Sequence, residues 1–362
     1  MPINKLQITQ LRNINWADIA PSADLNILFG INGSGKSSLL EAIYLLAHGH
    51  SFRSTTIRNV ISRDQKQLTI FSELTLDSQK IPVGIERGIN HARTRISGKN
   101  IKSLAELVSL IPLQFIGPDL QKAIEGGPKD RRKLLDWGVF HVEHAFYHCW
   151  LTYRKLLKQR NAALKHREQH QTITSWDSEL VKAGSRLNDY RADYLKLLLP
   201  YLDKLLEDMF CLTGISCSFG QGWSKEFSFE EVLQKTLSRD IKSGFTGCGP
   251  HRADVLFTYY GRAAHEQLSR GQLKLLVIAF KLAQVQLLQT AHAKRCVILM
   301  DDLPAELDIE NRARVLNTLL DSDAQLFVTT TDSALIDCSE LREDKSKKMF
   351  HVEHGSVTEV VQ

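Results

Sequence analysis

The stretch Gly30-Ile31-Asn32-Gly33-Ser34-Gly35-Lys36-Ser37 has the spacing G-x-x-x-x-G-K-[ST], and a loop of that kind works only between a buried strand and a helix. Its glycines turn backbone N–H groups inward around phosphate oxygens. Lys36 supplies a point charge to the β- and γ-phosphates, and Ser37 offers a hydroxyl to Mg²⁺. The flanks agree with this demand. Residues 24–29 (DLNILF) read as a buried strand and 38–47 (SLLEAIYLLA) as a helix, so the chain is expected to be an α/β protein with a nucleoside triphosphate site. A plain glycine-rich turn is the alternative.

An acidic partner for that loop stands far along the chain. Residues 296–302 form an apolar run ending in Asp301 and Asp302, which puts acids at the carboxyl end of a central parallel strand. Asp301 is expected to complete the Mg²⁺ shell with Ser37, and Asp302 to orient or deprotonate an attacking water. The acids would otherwise serve the N-terminus of a helix near Asp308. Residues 325–332 (QLFVTTTD) repeat the strand-then-polar pattern and predict a neighbouring strand, with Thr330 or Thr331 near the γ-phosphate. Leu268-Ser269-Arg270-Gly271-Gln272 opens a long helix, 273–289. It reads equally as an anion site at a helix N-terminus or as a cap with Ser269 at the N-cap.

Between these motifs the texture changes. Residues 6–11 alternate as a strand, followed by an irregular link containing Pro21; 68–76, 81–86 and 94–96 predict an antiparallel meander, 104–110 a short helix and 112–116 a strand. From Arg131 to His166 there is no proline and one glycine, which predicts one long helix. Trp176, Leu180, Ala183, Leu187, Tyr190, Tyr194, Leu197 and Tyr201 then follow a 4-3 heptad spacing. Two helices of about 30 residues make a hairpin arm roughly 45 Å long.

The net charge of +5 is unevenly spread: residues 51–102 carry +6 and 129–167 carry +7. Such stretches fit a polyanion, with nucleic acid first, or a solvated face. Arg53, Arg58, Arg131 and Arg132 are the DNA-contact candidates, although Arg131 or Arg132 can also pair with Asp136. The six cysteines are scattered without a C-x-x-C pair, no run of about 18 apolar residues suggests a membrane span, and Met1-Pro2-Ile3-Asn4-Lys5 is not an apolar leader. A cytoplasmic, membrane-free location is expected. His-Val-Glu-His at 141–144 and 351–354 suggests metal ligands, but residues three apart in a strand point to opposite faces, so no metal site is expected there.

Together these motifs resemble the ATPase heads of the ABC type, and more closely the RecF family, which is related to SMC-type heads. The resemblance spans nearly the whole chain. It rests on Leu11-Arg12-Asn13, the phosphate loop with Leu40-Glu41-Ala42, Ser51-Phe52-Arg53 and Pro118-Asp119. It continues through Gly126-Gly127-Pro128 with Arg131-Arg132 and Leu135-Asp136-Trp137, then Gly249-Pro250-His251-Arg252, Leu268 to Gln272, and Asp302 with Glu306-Leu307-Asp308.

The resemblance implies an ATPase head built from 1–128 and 243–362, with 129–242 as an inserted helical lobe forming a short coiled-coil-like arm. ATP and Mg²⁺ would lie between two protomers of an ATP-dependent homodimer. Gly30 to Ser37, Ser38, Arg12, Asn13 and Gln114 would act from one protomer and Ser269, Arg270, Gly271 and Gln272 from the other. Asp308 would be the D-loop residue and Thr331 the switch residue. Members of the family bind DNA, both duplexes and duplex/single-strand junctions, without sequence specificity, and work with RecO and RecR to place RecA on gaps. Asp302 stands where ABC heads usually carry Glu, and Thr where they carry a switch His, which implies slow hydrolysis serving as a release switch. An ABC transporter's ATPase subunit shares the loop, the signature motif and the acids, but not the inserted helices or the basic stretches. A small-molecule P-loop kinase lacks the signature motif.

Overall fold

The chain is described over residues 2–76, 79–303, 309–336 and 344–360 of a computed structural model. It opens with β1 (Ile3–Leu11), β2 (Ile14–Ile19), β3 (Leu25–Phe29), α1 (Lys36–His48), β4 (Gln67–Leu76), β5 (Gln79–Gly88), β6 (Ala92–Ile96), β7 (Lys99–Asn100), α2 (Leu104–Leu110) and β8 (Leu113–Ile116). The middle is α3 (Lys122–Glu125), α4 (Pro128–Val142), α5 (Phe146–Lys165), α6 (His170–Thr174), α7 (Asp177–Lys204), β9 (Ile215–Gly220), α8 (Phe229–Ser243), β10 (Asp254–Tyr259), β11 (Arg262–Ala263), α9 (Ala264–Gln267) and α10 (Arg270–His292). Last come β12 (Val297–Met300), α11 (Ile309–Asp321), β13 (Gln325–Thr330), β14 (Lys347–Glu353) and β15 (Ser356–Val360).

Two units emerge, residues 1–120 with 292–362, and residues 121–291. The sequence motifs suggest boundaries at 129 and 242. The contact division falls outside both because β10 and α10 pack with the helices of the second unit: Phe257 meets Phe280 edge-on at 5.6 Å, and Gln284 Nε2 donates to Leu134 O at 2.8 Å.

In the first unit, β3, β12 and β13 are apolar runs buried on both faces, the pattern of central parallel strands, and they lie in the order β15-β14-β3-β13-β12-β8. An antiparallel sheet, β2-β1-β4-β5-β6-β7, carries the predicted meander. It also holds a strand where the sequence pattern suggests an irregular link. Ile14–Ile19 alternates buried and exposed residues and folds back on β1 through Arg12-Asn13, pairing Leu11 with Ile14 and Leu6 with Ile19. Helix α1 is buried all round: Leu39, Leu40, Ile43, Leu45 and Leu46 are fully covered in the core that joins both sheets. At roughly 1.5–3 kcal/mol per buried aliphatic side chain, α1 is a rigid mount for the loop at its N-terminus.

In the second unit the expected first arm helix is two helices. The chain leaves α4 at Glu143, whose φ of −104° and ψ of 104° are extended, and Glu143 Oε1 then accepts from Ala145 N at 3.0 Å in the turn that leads into α5. Neither glycine nor proline marks this break. Helix α7 has 28 residues, and its buried positions are Leu180, Gly184, Leu187, Asn188, Arg191, Tyr194, Leu195, Leu198 and Leu202. That spacing follows 3.6 residues per turn more closely than 3.5. The heptad reading holds at Leu180, Leu187 and Tyr194, then drifts, leaving Leu197 55% exposed.

Polar groups brace this unit from inside. Arg160, fully buried, joins α5 to α7 and α8 through Asp177 at 2.7 Å and Asp240 at 2.9 Å. Arg191 of α7 grips Asp136 of α4 with two bonds of 2.7 and 2.8 Å. Helix α10 is long and apolar enough to cross a membrane by length and composition, but 67% of its apolar window is buried in the fold, as a core helix requires.

His251 sits in the Gly249-Pro250-His251-Arg252 turn, where its Nδ1 accepts from the Tyr153 hydroxyl at 2.7 Å and its Nε2–H donates to Thr246 O at 3.0 Å. Burial first, then the positive charges of Arg252, Arg132 and Arg160, pull its pKa down to about 4 against the opposing Thr246 bond. The unfolded chain, with an ordinary imidazole near 6.5, binds the proton first. His251 therefore contributes stability that is present above about pH 6.5 and lost as pH falls toward 4. Urea unfolding at pH 8 and pH 5.5 should show wild type losing on the order of 1 kcal/mol more than His251→Gln over this interval. Equal losses in both proteins would show that His251 does not carry the effect.

Candidate functional site

The phosphate loop is held open by contacts that the local sequence demands. Gly30 has φ 150°, and a Cβ there would lie 2.2 Å from Val352 O; at Gly35, φ 123°, a Cβ would meet the Asn13 amide at 3.0 Å. Asn13 acts as a clamp. Its Nδ2 donates to Ser34 O at 2.9 Å and its Oδ1 accepts from Ser38 Oγ at 3.0 Å, while Gly355 N reaches Ser34 O from the β14–β15 turn at 2.8 Å. Lys36 Nζ lies back on the loop, donating to Gly30 O at 2.6 Å and Ile31 O at 2.9 Å. Burial lowers its pKa, and Asp302 and Asp301 oppose that shift.

The acids at the end of β12 meet the loop inside the same unit. Ser37 Oγ donates to Asp301 Oδ1 at 2.9 Å, and Thr329 Oγ1 donates to the same oxygen at 2.9 Å while accepting from Asp302 N at 2.7 Å. Asp302 occupies the left-handed region at φ 54°, a conformation that Asp tolerates better than most residues. The paired hydroxyl and carboxylate oxygens of Ser37 and Asp301 are a hard donor set of the kind Mg²⁺ takes. Asn32, Gly33, Gly35, Lys36, Ser37, Ser38, Arg53, Pro118, Asp301, Asp302 and Thr329 line a cleft of about 370 Å³.

Thr329 is the residue that sequence reasoning missed. Thr330 is buried with its hydroxyl on Asp332 O at 2.8 Å, and Thr331 is exposed beyond the end of β13. Alternation along the strand was the available signal, because it sets Thr329 and Thr330 on opposite sides. Pro118, in the loop after β8, lines the cleft, whereas Gln114 sits buried inside β8 opposite Ile298 and is not among the lining residues. Asp308 lies outside the described residues. Ile31 is 65% exposed.

Arg12 does not line the cleft. Its guanidinium grips the fully buried Glu41 of α1 at 2.9 and 2.8 Å, and Ser51 Oγ donates to the same carboxylate. Ser51 Oγ also accepts from Arg53 N at 2.9 Å, so the ion pair sets the loop that carries Arg53 into the cleft.

In the second unit, Ser269 Oγ accepts from Gln272 N at 3.2 Å and Gln272 Oε1 accepts from Ser269 N at 2.9 Å, a capping box that opens α10 with Ser269, Arg270 and Gly271 exposed. Arg131 and Arg132, named as DNA candidates, both make bonds inside the fold. Arg131, 14% exposed, is spent on Asp254 at 2.8 Å through both Nε and Nη2 and on the Ile124 carbonyl, and Arg132 reaches Ala253 O; neither pairs with Asp136. Arg58 and Arg53 are exposed. Most of the uncommitted charge of the second basic stretch is on α5. This helix holds no acid, and its Arg154, Lys155, Lys158 and Lys165 are exposed, without an ion pair among the described residues; Arg154 lies over the Trp150 ring at 4.6 Å.

The family model described as the RecF/RecN/SMC N-terminal domain matches residues 2–358. The chain is 40% identical, over 99% of its length and 99% of theirs, to the DNA replication and repair protein RecF of Cellvibrio japonicus. The chain belongs to the RecF family. RecF of Stutzerimonas stutzeri is likewise 40% identical, over 99% of this chain and 98% of the relative. Among solved structures, that of the recombination mediator protein RecF-ATP in the RecFOR pathway superposes with a TM-score of 0.85 at 24% identity, covering 99% of this chain and 98% of that one. An Smc head bound to the C-terminal winged-helix domain of ScpA follows at 0.59 and 15% identity, covering 99% and 98%. The fold is that of a RecF and SMC-type ATPase head.

Arg12→Ala should cost about 3 kcal/mol in urea unfolding, since it strands a buried carboxylate, and the 24% exposure of Arg12 keeps the loss at the low end for such pairs. Circular dichroism of the folded protein should be unchanged. A loss below about 1 kcal/mol would mean that the pair does not anchor the phosphate-loop helix.

Proposed function

We propose that this protein is an ATP-dependent DNA-binding protein of recombinational repair and replication that closes as a dimer on ATP and opens on slow hydrolysis. The observation that carries this reading is the joining of Ser37, Asp301, Thr329 and Asp302 beside the phosphate loop. In the ATP-bound cleft, backbone N–H groups of the loop hold the phosphate oxygens and Lys36 leaves the loop carbonyls for the β- and γ-phosphates. Mg²⁺, held by Ser37 and Asp301, would neutralise charge on those oxygens. Asp302 orients the attacking water. Its side chain is one methylene shorter than the glutamate usual in ABC heads, so proton abstraction is less well reached and turnover is slow.

Ser269, Arg270 and Gly271, exposed at the N-terminus of α10, would meet the γ-phosphate held by a second protomer. Each charge-assisted bond there contributes on the order of 1.5–3 kcal/mol, so losing the γ-phosphate weakens the dimer by several factors of ten. The curated relatives, all named for DNA replication and repair, support this reading over a transporter's ATPase subunit. Duplex DNA and duplex/single-strand junctions would lie along the acid-free helix α5; Arg53 and Arg58 are separate candidates on the first unit. RecO and RecR are the partners through which RecA reaches gaps, in a cytoplasmic setting.

Asp302→Asn should bind ATP, hydrolyse it more slowly than wild type and accumulate as dimer, whereas Ser269→Arg should bind ATP and remain monomeric. Sedimentation of both with ATP and with ADP is the measurement. A monomeric Asp302→Asn in ATP, or a dimer of Ser269→Arg, sinks the cross-subunit sandwich.

Lys36→Ala should keep the wild-type circular dichroism spectrum and lose ATP binding, because the ammonium contacts only loop carbonyls in the fold. Normal ATP affinity in that variant would refute the phosphate-loop assignment.

DNA affinity should fall with salt at a slope of about −0.9 for each phosphate contacted, irrespective of base sequence. Arg154→Glu with Lys158→Glu should weaken binding at least tenfold and flatten that slope by about 1–2, measured by anisotropy of a labelled duplex. An unchanged slope would move the DNA surface off α5.

A further inference from the structure

A second cavity lies in the first unit, away from the acids of the nucleotide cleft. It measures about 570 Å³ and is formed by the chain from Gly49 to Val60 and by the turn between β5 and β6. Its lining contains no carboxylate. Its polar lining residues are Arg87, His50, His91, Ser51, Ser54, Thr55 and Asn90.

Arg87 is the unusual member. Only 7% of the residue is exposed, and every hydrogen bond it makes goes to a neutral oxygen: Gly49 O at 3.2 Å, Glu86 O at 3.0 Å, Arg93 O at 2.9 Å and Thr94 Oγ1 at 3.0 Å. Those four bonds leave one of the five guanidinium N–H groups, on Nη2, available. Among the described residues no ion pair involves Arg87, and the neighbouring acid, Glu86, is engaged by His91 at 2.9 Å. Burial pulls the guanidinium's pKa down, the mark of a cation without a full counter-charge. A buried charge is ordinarily paired, and leaving one on carbonyls alone is costly. The C-terminal carbonyls of α1 offset part of that cost, since Gly49 is the left-handed cap of that helix.

We propose that this cavity is an anion site that takes one phosphate group, with Arg87 as its floor and Thr55, Asn90 and His50 as its rim. The phosphate can come from a nucleic-acid backbone or from a free phosphate species, and both present the same tetrahedral oxygens to the guanidinium. The site is separate from the triphosphate cleft. It shares with it only the chain segment after α1, which carries Arg53 to one and Thr55 to the other.

The test uses the full chain carrying Lys36→Ala, so that the phosphate loop does not contribute. The imidazole signals of His50 and His91 are followed by NMR during titration with inorganic pyrophosphate and, separately, with a hexathymidylate lacking terminal phosphates. Either probe should shift both histidines with a single saturating curve, and the one that does so identifies the source. Asn90→Asp, which adds a carboxylate at the exposed rim, should weaken that curve at least tenfold with no change in circular dichroism, and Thr55→Asp should do the same. If neither probe moves the histidines, or if both variants titrate like the parent, Arg87 is a brace for the end of α1 and the anion site does not exist. Loss of ATP-driven dimerisation would bear on the nucleotide cleft and leave this result untouched.

Discussion

One buried carboxylate organises the first unit. Glu41 lies on the inner face of the phosphate-loop helix with no solvent exposure, and a charge in that position is stable only if cations and hydroxyls reach it. Arg12 comes from the turn between β1 and β2, and Ser51 comes from the loop after α1. Three short motifs that are distant in the chain, Leu11-Arg12-Asn13, Leu40-Glu41-Ala42 and Ser51-Phe52-Arg53, are thus parts of one ion pair. Through it the antiparallel sheet, the helix and the loop bearing Arg53 are locked in register, and Asn13, next to Arg12, is delivered to clamp the phosphate loop.

The nucleotide chemistry depends on that rigidity. The Ser37, Asp301, Thr329 and Asp302 relay is a chain of hydrogen bonds whose members come from α1, from the end of β12 and from β13. Parallel strands place these three at one edge because their carboxyl ends align. Asp302 adopts its left-handed backbone there, beside the cleft that it lines.

Charge in the second unit is divided between two uses. Arg131, Arg160 and Arg191 are each held by a carboxylate; Arg160 and Arg191 tie helices to one another, and Arg131 ties α4 to β10. The exposed cations of α5, Arg154, Lys155, Lys158 and Lys165, have no such partner among the described residues. A count of Lys and Arg in residues 129–167 makes no distinction between the two kinds, because pairing depends on Asp254, Asp177 and Asp240, which lie outside that stretch. Arg131 and Arg132, adjacent to the glycine-rich turn, are therefore engaged within the fold, while Arg154 and Lys158 stand exposed.

The sequence by itself determined whatever is set by neighbours in the chain. The G-x-x-x-x-G-K-S spacing, the apolar runs of β3, β12 and β13, the acids that end β12 and the capping box at Ser269 are local patterns, and each forms where its periodicity or backbone demand places it. The tertiary structure decided the rest. It chose Thr329 over Thr330 and Thr331 because only the first faces Asp301. It also ended α4 at Glu143, in extended backbone and without any breaker residue, and made β2 a strand because β1 supplies its hydrogen bonds. The same holds for the buried cations: whether an arginine is a brace or a contact for phosphate depends on which carboxylate the fold brings within 3 Å, and that partner can lie more than a hundred residues away, as Asp254 does from Arg131.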